Sequence, residues 1–199
     1  TCAVDKSGTV WCWGEGTYGQ LGDGRLEGSK IPAMVPGLTD ATHLATGSMF
    51  TCAERRTGAT VCWGSRAASG HGRVAAPREL PGLAAARTVT VGDGWVCATP
   101  AKGPTRCFVP GKSGAGPVEA AATLDDVAVM RGSVAYSSSS CVVKKSGKVD
   151  CWNEFAPEVK PYTLTGLGPS RSVTIGNSNQ TTGFAVLRSG TIAALALPK

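Results

Sequence analysis

Eight cysteines recur in four pairs, and the two members of every pair are ten positions apart. The cysteines are Cys2, Cys12, Cys52, Cys62, Cys97, Cys107, Cys141 and Cys151. Successive pairs begin 50, 45 and 44 residues apart. A fixed internal period of this size indicates a repeat architecture, in which each repeat is one unit of supersecondary structure.

Each ten-residue segment fits a β-hairpin with a three-residue loop. If Cys2 lies opposite Cys12, then Val4 lies opposite Val10 and residues 6–8 (Lys-Ser-Gly) form the loop. Glycine takes the third loop place in every copy, where such a hairpin needs a positive φ. Opposed residues in an antiparallel pair have Cα atoms roughly 4.5–5.5 Å apart, within disulfide reach. We therefore predict four cross-strand disulfides, each contributing about 2–3 kcal/mol in the chain-entropy model.

A fifth copy, FAVLRSGTIAA (184–194), aligns with CAVDKSGTVWC (2–12) but has Phe184 and Ala194 at the cysteine positions. The fold therefore does not depend on any single bridge. Metal binding is the competing interpretation, but zinc sites usually show Cys-x-x-Cys or Cys/His clusters, and the only histidines are His43 and His71. We expect structural disulfides, no metal site and no cofactor. Disulfides in turn indicate an extracellular, cell-surface or periplasmic location.

Short strands fill the rest of each period. The chain of 199 residues is long enough for one domain with a core, and it combines 27 glycines and 12 prolines with only 6% aromatic residues. β-Branched segments such as RTVTV (87–91) and RSVTI (171–175) precede the hairpins, and another short strand follows them. Four short strands per period predict an all-β chain, built as a β-propeller of four-stranded blades.

The segment VWCWGEGTYGQLGDG (10–24) resembles the signature of the regulator of chromosome condensation repeat family. YGQLG (18–22) occurs only in the first repeat, while SGHGR (69–73), SGAGP (113–117) and EFAPE (154–158) stand in its place later. Trp13, Trp63 and Trp152 follow the second cysteine of their hairpins, where we expect them in the core between blades. The resemblance implies a seven-bladed ring that binds other molecules on its faces. A cysteine pair in each blade is similar to the secreted bacterial branch of the family.

The number of strands bears on the domain organisation. With the strands of a blade named A to D and the hairpin as B and C, the first repeat shows B to D and the last A to C. Three complete repeats lie between them, so the sequence predicts 18 strands, or about four and a half blades. We therefore expect residues 1–199 to be a single propeller domain or the C-terminal portion of one. An upstream segment or a second chain would complete the ring.

The hairpin loops place one cation in each repeat. These are Lys6, Arg56, Lys102, Lys145 and Arg188. The net charge of +6 matches the excess between Cys52 and Pro117, where nine Lys and Arg face three acids. A cationic rim of this kind attracts acidic proteins, lipid head groups or polyanions. A solvated rim without a partner explains the same residues, and both interpretations stay open.

The C–D loops vary most in length, and variable loops on a rigid frame are where binding specificity tends to reside. The candidate partner-binding residues are Tyr18, Arg25, Arg66, His71, Arg73 and Trp95. Trp95 follows the A–B turn, which makes it the aromatic candidate for an exposed contact. Ordinary drift in a decaying repeat accounts for these loops equally well.

Three hypotheses about function follow. The first is a non-catalytic extracellular or cell-surface protein-binding propeller, an adhesion, assembly or inhibitor module whose partner is a protein, an acidic one if the rim binds it. The second is a guanine-nucleotide-exchange or chromatin-binding propeller, which the paired cysteines disfavour together with any nucleic-acid partner. The third is an enzyme whose site lies in missing blades, because no nucleophile elbow or phosphate loop is present. No apolar run is long enough to span a membrane.

Overall fold

The computed structural model describes residues 1–47, 49–65, 73–80, 83, 86–91, 96–109, 119–124, 127–132, 140–152, 161–175 and 182–196. These residues form 18 β-strands and no helix. The strands are β1 (Cys2–Val4), β2 (Val10–Gly14), β3 (Ser29–Met34), β4 (Ala41–Thr46), β5 (Phe50–Arg55), β6 (Thr60–Ser65), β7 (Arg73–Glu79), β8 (Ala86–Val91), β9 (Val96–Pro100), β10 (Thr105–Val109), β11 (Glu119–Leu124), β12 (Val127–Gly132), β13 (Ser140–Lys144), β14 (Val149–Trp152), β15 (Tyr162–Thr163), β16 (Ser170–Ile175), β17 (Thr182–Leu187) and β18 (Ile192–Ala196).

The strands form five antiparallel meanders. The first sheet contains β1 to β3, the next three contain β4 to β7, β8 to β11 and β12 to β15, and the fifth contains β16 to β18. Consecutive sheets touch through their first strands, β1 with β4, β4 with β8, β8 with β12 and β12 with β16. This succession of small twisted sheets is the architecture of a propeller. The prediction of an all-β chain with 18 strands in four-stranded blades is confirmed.

The five hairpins have the predicted register. Cys2 pairs with Cys12 and Val4 with Val10, and in the fifth hairpin Phe184 pairs with Ala194. The third loop residue has a positive φ in every hairpin: 98° at Gly8, 87° at Gly58, 102° at Gly103, 92° at Gly147 and 92° at Gly190. Glycine adopts this backbone conformation without a steric penalty, which explains its place in all five loops.

All eight cysteines are paired within their hairpins. The Cα atoms of the four pairs lie 4.0 to 4.1 Å apart, slightly closer than the expected range. The bridges lie between consecutive sheets. Cys12 packs with Leu38 and Ala53 of the next repeat, and Cys141 packs with Val173 and Ala185 of the fifth sheet. The disulfides are therefore part of the apolar cores between neighbouring sheets.

The outer faces of the first and fifth sheets carry exposed apolar side chains. Trp11 and Met34 are 36% and 49% exposed on the first sheet, and Phe184 and Ile192 are 51% and 67% exposed on the fifth. The expected core positions of Trp63 and Trp152 are confirmed. The same expectation for Trp13 is wrong, because Trp13 is only half-buried. Within the described residues no preceding repeat covers it, whereas the first repeat covers Trp63.

Candidate binding surfaces

The strand order gives the assembly two opposite edges. We call the first the hairpin edge: it contains the five hairpin loops (6–8, 56–58, 101–103, 145–147 and 188–190) and the described linkers that enter β4 (residues 35–40) and β16 (residues 164–169). We call the opposite end of the strands the loop edge: in the described residues it contains the segment between β2 and β3 (residues 15–28) and the start of β7 at Arg73. Candidate residues from the sequence fall on both edges.

On the loop edge, the segment between β2 and β3 lies against the second sheet. The indole N–H of Trp63 donates to the carbonyl oxygen of Gln20 at 2.9 Å, and Thr51 Oγ1 donates to the same oxygen at 3.3 Å. Leu21 is buried beside Trp63, and the backbone N–H of Gly24 donates to the carbonyl of Ala75 at 2.9 Å. The YGQLG motif thus couples two neighbouring sheets, and Tyr18 is its exposed residue.

Two of the predicted partner-binding residues come together at this edge. The guanidinium carbon of Arg73 lies 5.5 Å from the centre of the Tyr18 ring, a cation–π contact. Tyr18 is 37% exposed, and Leu26 in the same segment is 43% exposed. Arg25 is exposed as well, and its backbone N–H donates to Asp23 Oδ1 at 3.0 Å. Arg66, His71 and Trp95 lie outside the described residues, so their roles stay predictions.

The predicted cationic residues of the hairpin edge are all exposed. Lys6, Arg56, Lys102, Lys145 and Arg188 project from successive hairpin loops. In the part of the chain that the structure describes, the ion pairs are His43–Glu54, Arg55–Asp40 and Lys144–Asp150, none of which includes these five cations. Arg188 Nη2 donates to the carbonyl oxygen of Lys145 at 2.5 Å, which joins the tips of the last two sheets.

Further cations reach the hairpin edge through β-bulges. The pairing of the first and second strands is irregular after the first residue in each of the second to fifth sheets. The extra residues are Thr42, Arg87, Ala128 and Arg171, and all four are exposed. A bulge redirects its side chain away from the regular alternation of the strand. Arg87 and Arg171, with the exposed loop residue Lys148, therefore extend the rim, and no strand periodicity predicts their placement.

The first hairpin carries a hydrogen-bonded carboxylate. Asp5 Oδ1 accepts from the backbone N–H groups of Ser7, Gly8 and Thr9 and from the Ser7 hydroxyl, and Oδ2 accepts from the Trp11 indole at 3.2 Å. The side-chain bonds from Ser7 and Trp11 lower the pKa of Asp5 to about 2, with the backbone bonds contributing in the same direction. This carboxylate therefore organises the loop that presents Lys6.

Glu54 is a buried carboxylate between the second and third sheets. Its Oε1 accepts from the backbone N–H of Val89 at 2.5 Å, and its Oε2 lies 3.5 Å from His43 Nδ1. Burial raises the pKa of Glu54 above its ordinary value, and the Val89 bond and His43 oppose that shift. Sequence reasoning missed this residue, since its burial depends on the third sheet packing over it.

Two features are absent from the described ranges: a metal-binding cluster and a membrane-spanning helix. These ranges contain no group of three or more His, Cys, Asp and Glu side chains placed to hold a metal ion. They also contain no helix with the length and apolar character needed to cross a membrane.

Comparison with known sequences identifies one repeat directly. Residues 7–53 match the family model "Regulator of chromosome condensation (RCC1) repeat". An 88-residue stretch is 38% identical to the E3 ubiquitin-protein ligase HERC2 of human and of mouse. It covers 41% of this chain and 2% of each ligase. The sequence similarity thus covers less than half of this chain and a small part of far longer proteins.

Comparison with solved structures extends the likeness to nearly the whole chain. Yeast RCC1 (Prp20), solved bound to Kap60, superposes with a TM-score of 0.73 at 16% identity, over 97% of this chain and 53% of its own. Human WBSCR16 superposes with a TM-score of 0.68 at 19% identity, over 87% of this chain and 52% of its own. The chain thus spans about half the length of these propellers. Residues 7–53 therefore carry a regulator of chromosome condensation repeat, and the chain shares the propeller fold of these solved structures.

Proposed function

We propose that this chain is a non-catalytic binding module that works outside the cytoplasm and engages a protein partner. The observation that carries the proposal is the pairing of all eight cysteines across four hairpins in one common register. Reducing compartments keep such thiols free, so four bridges of this kind favour an extracellular, cell-surface or periplasmic location. An adhesion, assembly or inhibitor role is consistent with that setting.

The loop edge supplies the features that a protein interface needs. Aromatic residues and arginine are enriched where partners bind most strongly, and Tyr18 and Arg73 stack on each other there. Leu26 adds exposed apolar surface, and buried Leu21 holds the segment on the second sheet. A segment that is already ordered loses less entropy on binding. This preorganised surface supports the loop edge as the protein-binding face.

The location is tested by counting thiols. Protein purified without reductant from its native source is denatured in an alkylating reagent and weighed by mass spectrometry. We expect no alkylated cysteine before reduction and eight after it. Eight reactive thiols before reduction would overturn the extracellular proposal.

The binding face is tested by comparing two double variants of similar exposure. Tyr18→Ala with Leu26→Ser alters the loop edge, and Lys6→Gln with Arg56→Gln alters the hairpin edge. A partner identified by cross-linking is purified, and its affinity for each variant is measured. We expect a loss of tenfold or more for the loop-edge variant alone, because alanine at an interface anchor costs over ~1.4 kcal/mol. Equal affinities would reject the loop edge.

Guanine-nucleotide exchange or chromatin binding is the second candidate function. Its support is the likeness to yeast Prp20, one structure of which is reported with binding properties to Gsp1p and histones. The test is to mix the chain with Gsp1p and with histones and to measure binding and stimulated nucleotide exchange. We expect neither, and stimulated exchange would favour this candidate over the first.

We also infer that the open faces of the first and fifth sheets are covered by further blades of the same propeller. Phe184, Val186 and Ile192 line a groove with Ser172 and Thr174 on the face of the fifth sheet that would meet a sixth. The solved propellers of this fold are about twice as long as this chain, which leaves room for such blades. In the 199-residue chain we expect self-association, and Phe184→Ser with Ile192→Ser should reduce it in light-scattering measurements. A wild-type chain that stays monomeric would count against the inference.

A further inference from the structure

Four exposed cations meet where the fourth sheet joins the fifth, on the hairpin edge. We call Lys145, Lys148, Arg171 and Arg188 the junction cluster. Backbone hydrogen bonds tie the segments that carry them: Ser170 N–H donates to the carbonyl of Gly147 at 2.9 Å, and Arg188 N–H to the carbonyl of Pro169 at 2.7 Å. Arg188 Nη2 adds its bond to the Lys145 carbonyl. The cluster therefore sits on ordered backbone, not on a free loop.

A close approach of backbone segments keeps this junction compact. A Cβ atom on Gly147 would lie 2.8 Å from Cβ of Pro169, closer than side chains tolerate. Glycine is therefore required at position 147 for two reasons: the lack of space for a Cβ atom and the φ of +92°. The fifth sheet then enters beside the tip of the fourth, and the bulge at Arg171 turns its side chain outward.

The junction cluster has almost no acidic counterpart. Residues 140–152, 161–175 and 182–196 contain five Lys and Arg but a single acid, Asp150. Asp150 is buried and pairs with Lys144 at 2.8 Å. Burial raises its pKa, but hydrogen bonds from Lys144 and Thr163 outweigh that effect, so the pKa of Asp150 lies below its ordinary value. Asp150 is thus a carboxylate already paired with Lys144, and the charge of Lys148 acts on it as well. Lys145, Arg171 and Arg188 are exposed and form no ion pair within these ranges.

The described part of the loop edge carries a balanced charge by comparison. In the segment from Glu15 to Lys30 and at Arg73, three acids accompany three bases. The rest of the described hairpin edge is mixed, with Asp5, Asp40 and Glu79 among its cations. Asp125 and Asp126, between β11 and β12, lie outside the described residues. Within the described residues, the junction cluster is therefore a local excess of positive charge, separate from the larger excess between Cys52 and Pro117.

The surroundings of the cluster indicate the class of partner. Its exposed neighbours are small or polar, such as Ser146, Pro169, Ser189 and Thr191. Protein interfaces need a desolvated apolar core, and single-stranded nucleic acids need aromatic stacking platforms. Exposed Ile192 belongs to the open face of the fifth sheet. A linear polymer with repeated anionic groups binds through charge alone, and Arg offers planar donors that match sulfate or carboxylate.

We propose that the junction cluster binds a linear anionic polysaccharide. Sulfate or carboxylate groups spaced along one chain contact Lys145, Lys148 and Arg171, while Arg188 keeps its bond to the Lys145 carbonyl and donates its remaining N–H groups. This site is separate from the loop edge proposed for a protein partner, so either assignment can fail without the other. It gives the module a means of retention on a glycan-bearing surface.

The experiment compares two triple variants of equal charge change. Lys145→Gln, Lys148→Gln and Arg171→Gln remove three charges from the cluster, while Arg25→Gln, Lys30→Gln and Arg73→Gln remove three from the loop edge. Arg188 is left intact because its side chain joins two sheets. Affinity for heparin is measured by isothermal titration at 50 and 200 mM salt, after thermal unfolding has shown that both variants fold.

We expect wild-type affinity to fall roughly ten- to hundredfold between the two salt concentrations, as release of counterions from a polyanion requires. The cluster variant should bind heparin at least ~10-fold more weakly than wild type, and the loop-edge variant within ~3-fold. If both variants bind heparin equally more weakly than wild type, the protein attracts heparin through its net charge only, and the proposal is overturned. Tighter binding of duplex DNA or polyglutamate than of heparin, at matched charge and salt, would overturn the polysaccharide assignment.

Discussion

The indole N–H of Trp63 donates to the carbonyl oxygen of Gln20 over 2.9 Å, across the boundary between the first and second sheets. Gly22 lies against the same indole, with a φ of +71°. This contact explains why the YGQLG motif has these residues. Its polar backbone caps the buried tryptophan of the next sheet, its leucine fills the core, and its glycines permit the approach.

Substitution of Gly22 by alanine tests this contact. A Cβ atom there would lie 2.6 Å from Trp63 Nε1, in addition to the positive φ. Gly24 is the matched control, because its φ is +88° and nothing lies within 4 Å of its Cβ position. We expect Gly24→Ala to lower the free energy of unfolding by about 1 kcal/mol and Gly22→Ala by about 2–4 kcal/mol. If urea unfolding shows the same loss of unfolding free energy in both variants, the contact with the Trp63 indole does not restrict position 22.

The local hairpins could be predicted from the sequence because their determinants are local. A ten-residue spacing and a glycine at the third loop place define both the register and the turn. The coupling of Gln20 to Trp63 could not be predicted in this way, since these residues are 43 positions apart and meet only after two sheets pack. The bulges that expose Arg87 and Arg171 depend likewise on how two strands pair. On the loop edge, the contact between Tyr18 and Arg73 could not be predicted from the sequence either and is known only from the structure.

The Asp5 carboxylate should titrate at an unusually low pH. Its pKa is lowered to about 2 from an ordinary 3.8, so the loop contacts that it makes are present above pH 3.8 and are lost as the pH falls through about 2. The Trp11 indole proton, bonded to Oδ2, should report this transition in an NMR titration. Asp5→Asn should abolish the pH dependence. A midpoint near 3.8 in wild type would contradict the hydrogen-bond network.

Glu54 should make the stability depend on pH in the opposite direction. Its pKa is raised in the folded state, so the folded protein holds a proton that the unfolded chain has released. The stability that comes from the protonated Glu54 is fully present below the ordinary glutamate pKa of 4.5. It is lost as the pH rises through the raised pKa of Glu54 in the folded protein. Urea unfolding between pH 4 and 7 should therefore show a declining free energy at rising pH.

The Glu54→Gln variant separates the pH dependence caused by Glu54 from that of the other titrating groups. The glutamine oxygen can still accept from the Val89 N–H, but it carries no titrating proton. We expect the variant to lose the decline and to gain stability relative to wild type at pH 7. His43→Gln serves as the control, since it removes the exposed imidazole near Oε2 and leaves the buried carboxyl. An unchanged slope in Glu54→Gln would exclude Glu54 as its source.

The fifth hairpin should accept an engineered disulfide. Phe184 and Ala194 are directly paired, at the register that the four native bridges share. Phe184→Cys with Ala194→Cys should therefore form a fifth bridge and raise the free energy of unfolding by about 2–3 kcal/mol. Phe184→Ser with Ala194→Ser is the control, because it removes the same exposed side chains without a bridge. Mass spectrometry counts the disulfides and urea unfolding measures the gain; two free thiols in the cysteine variant would show that the fifth hairpin lacks the geometry of the other four.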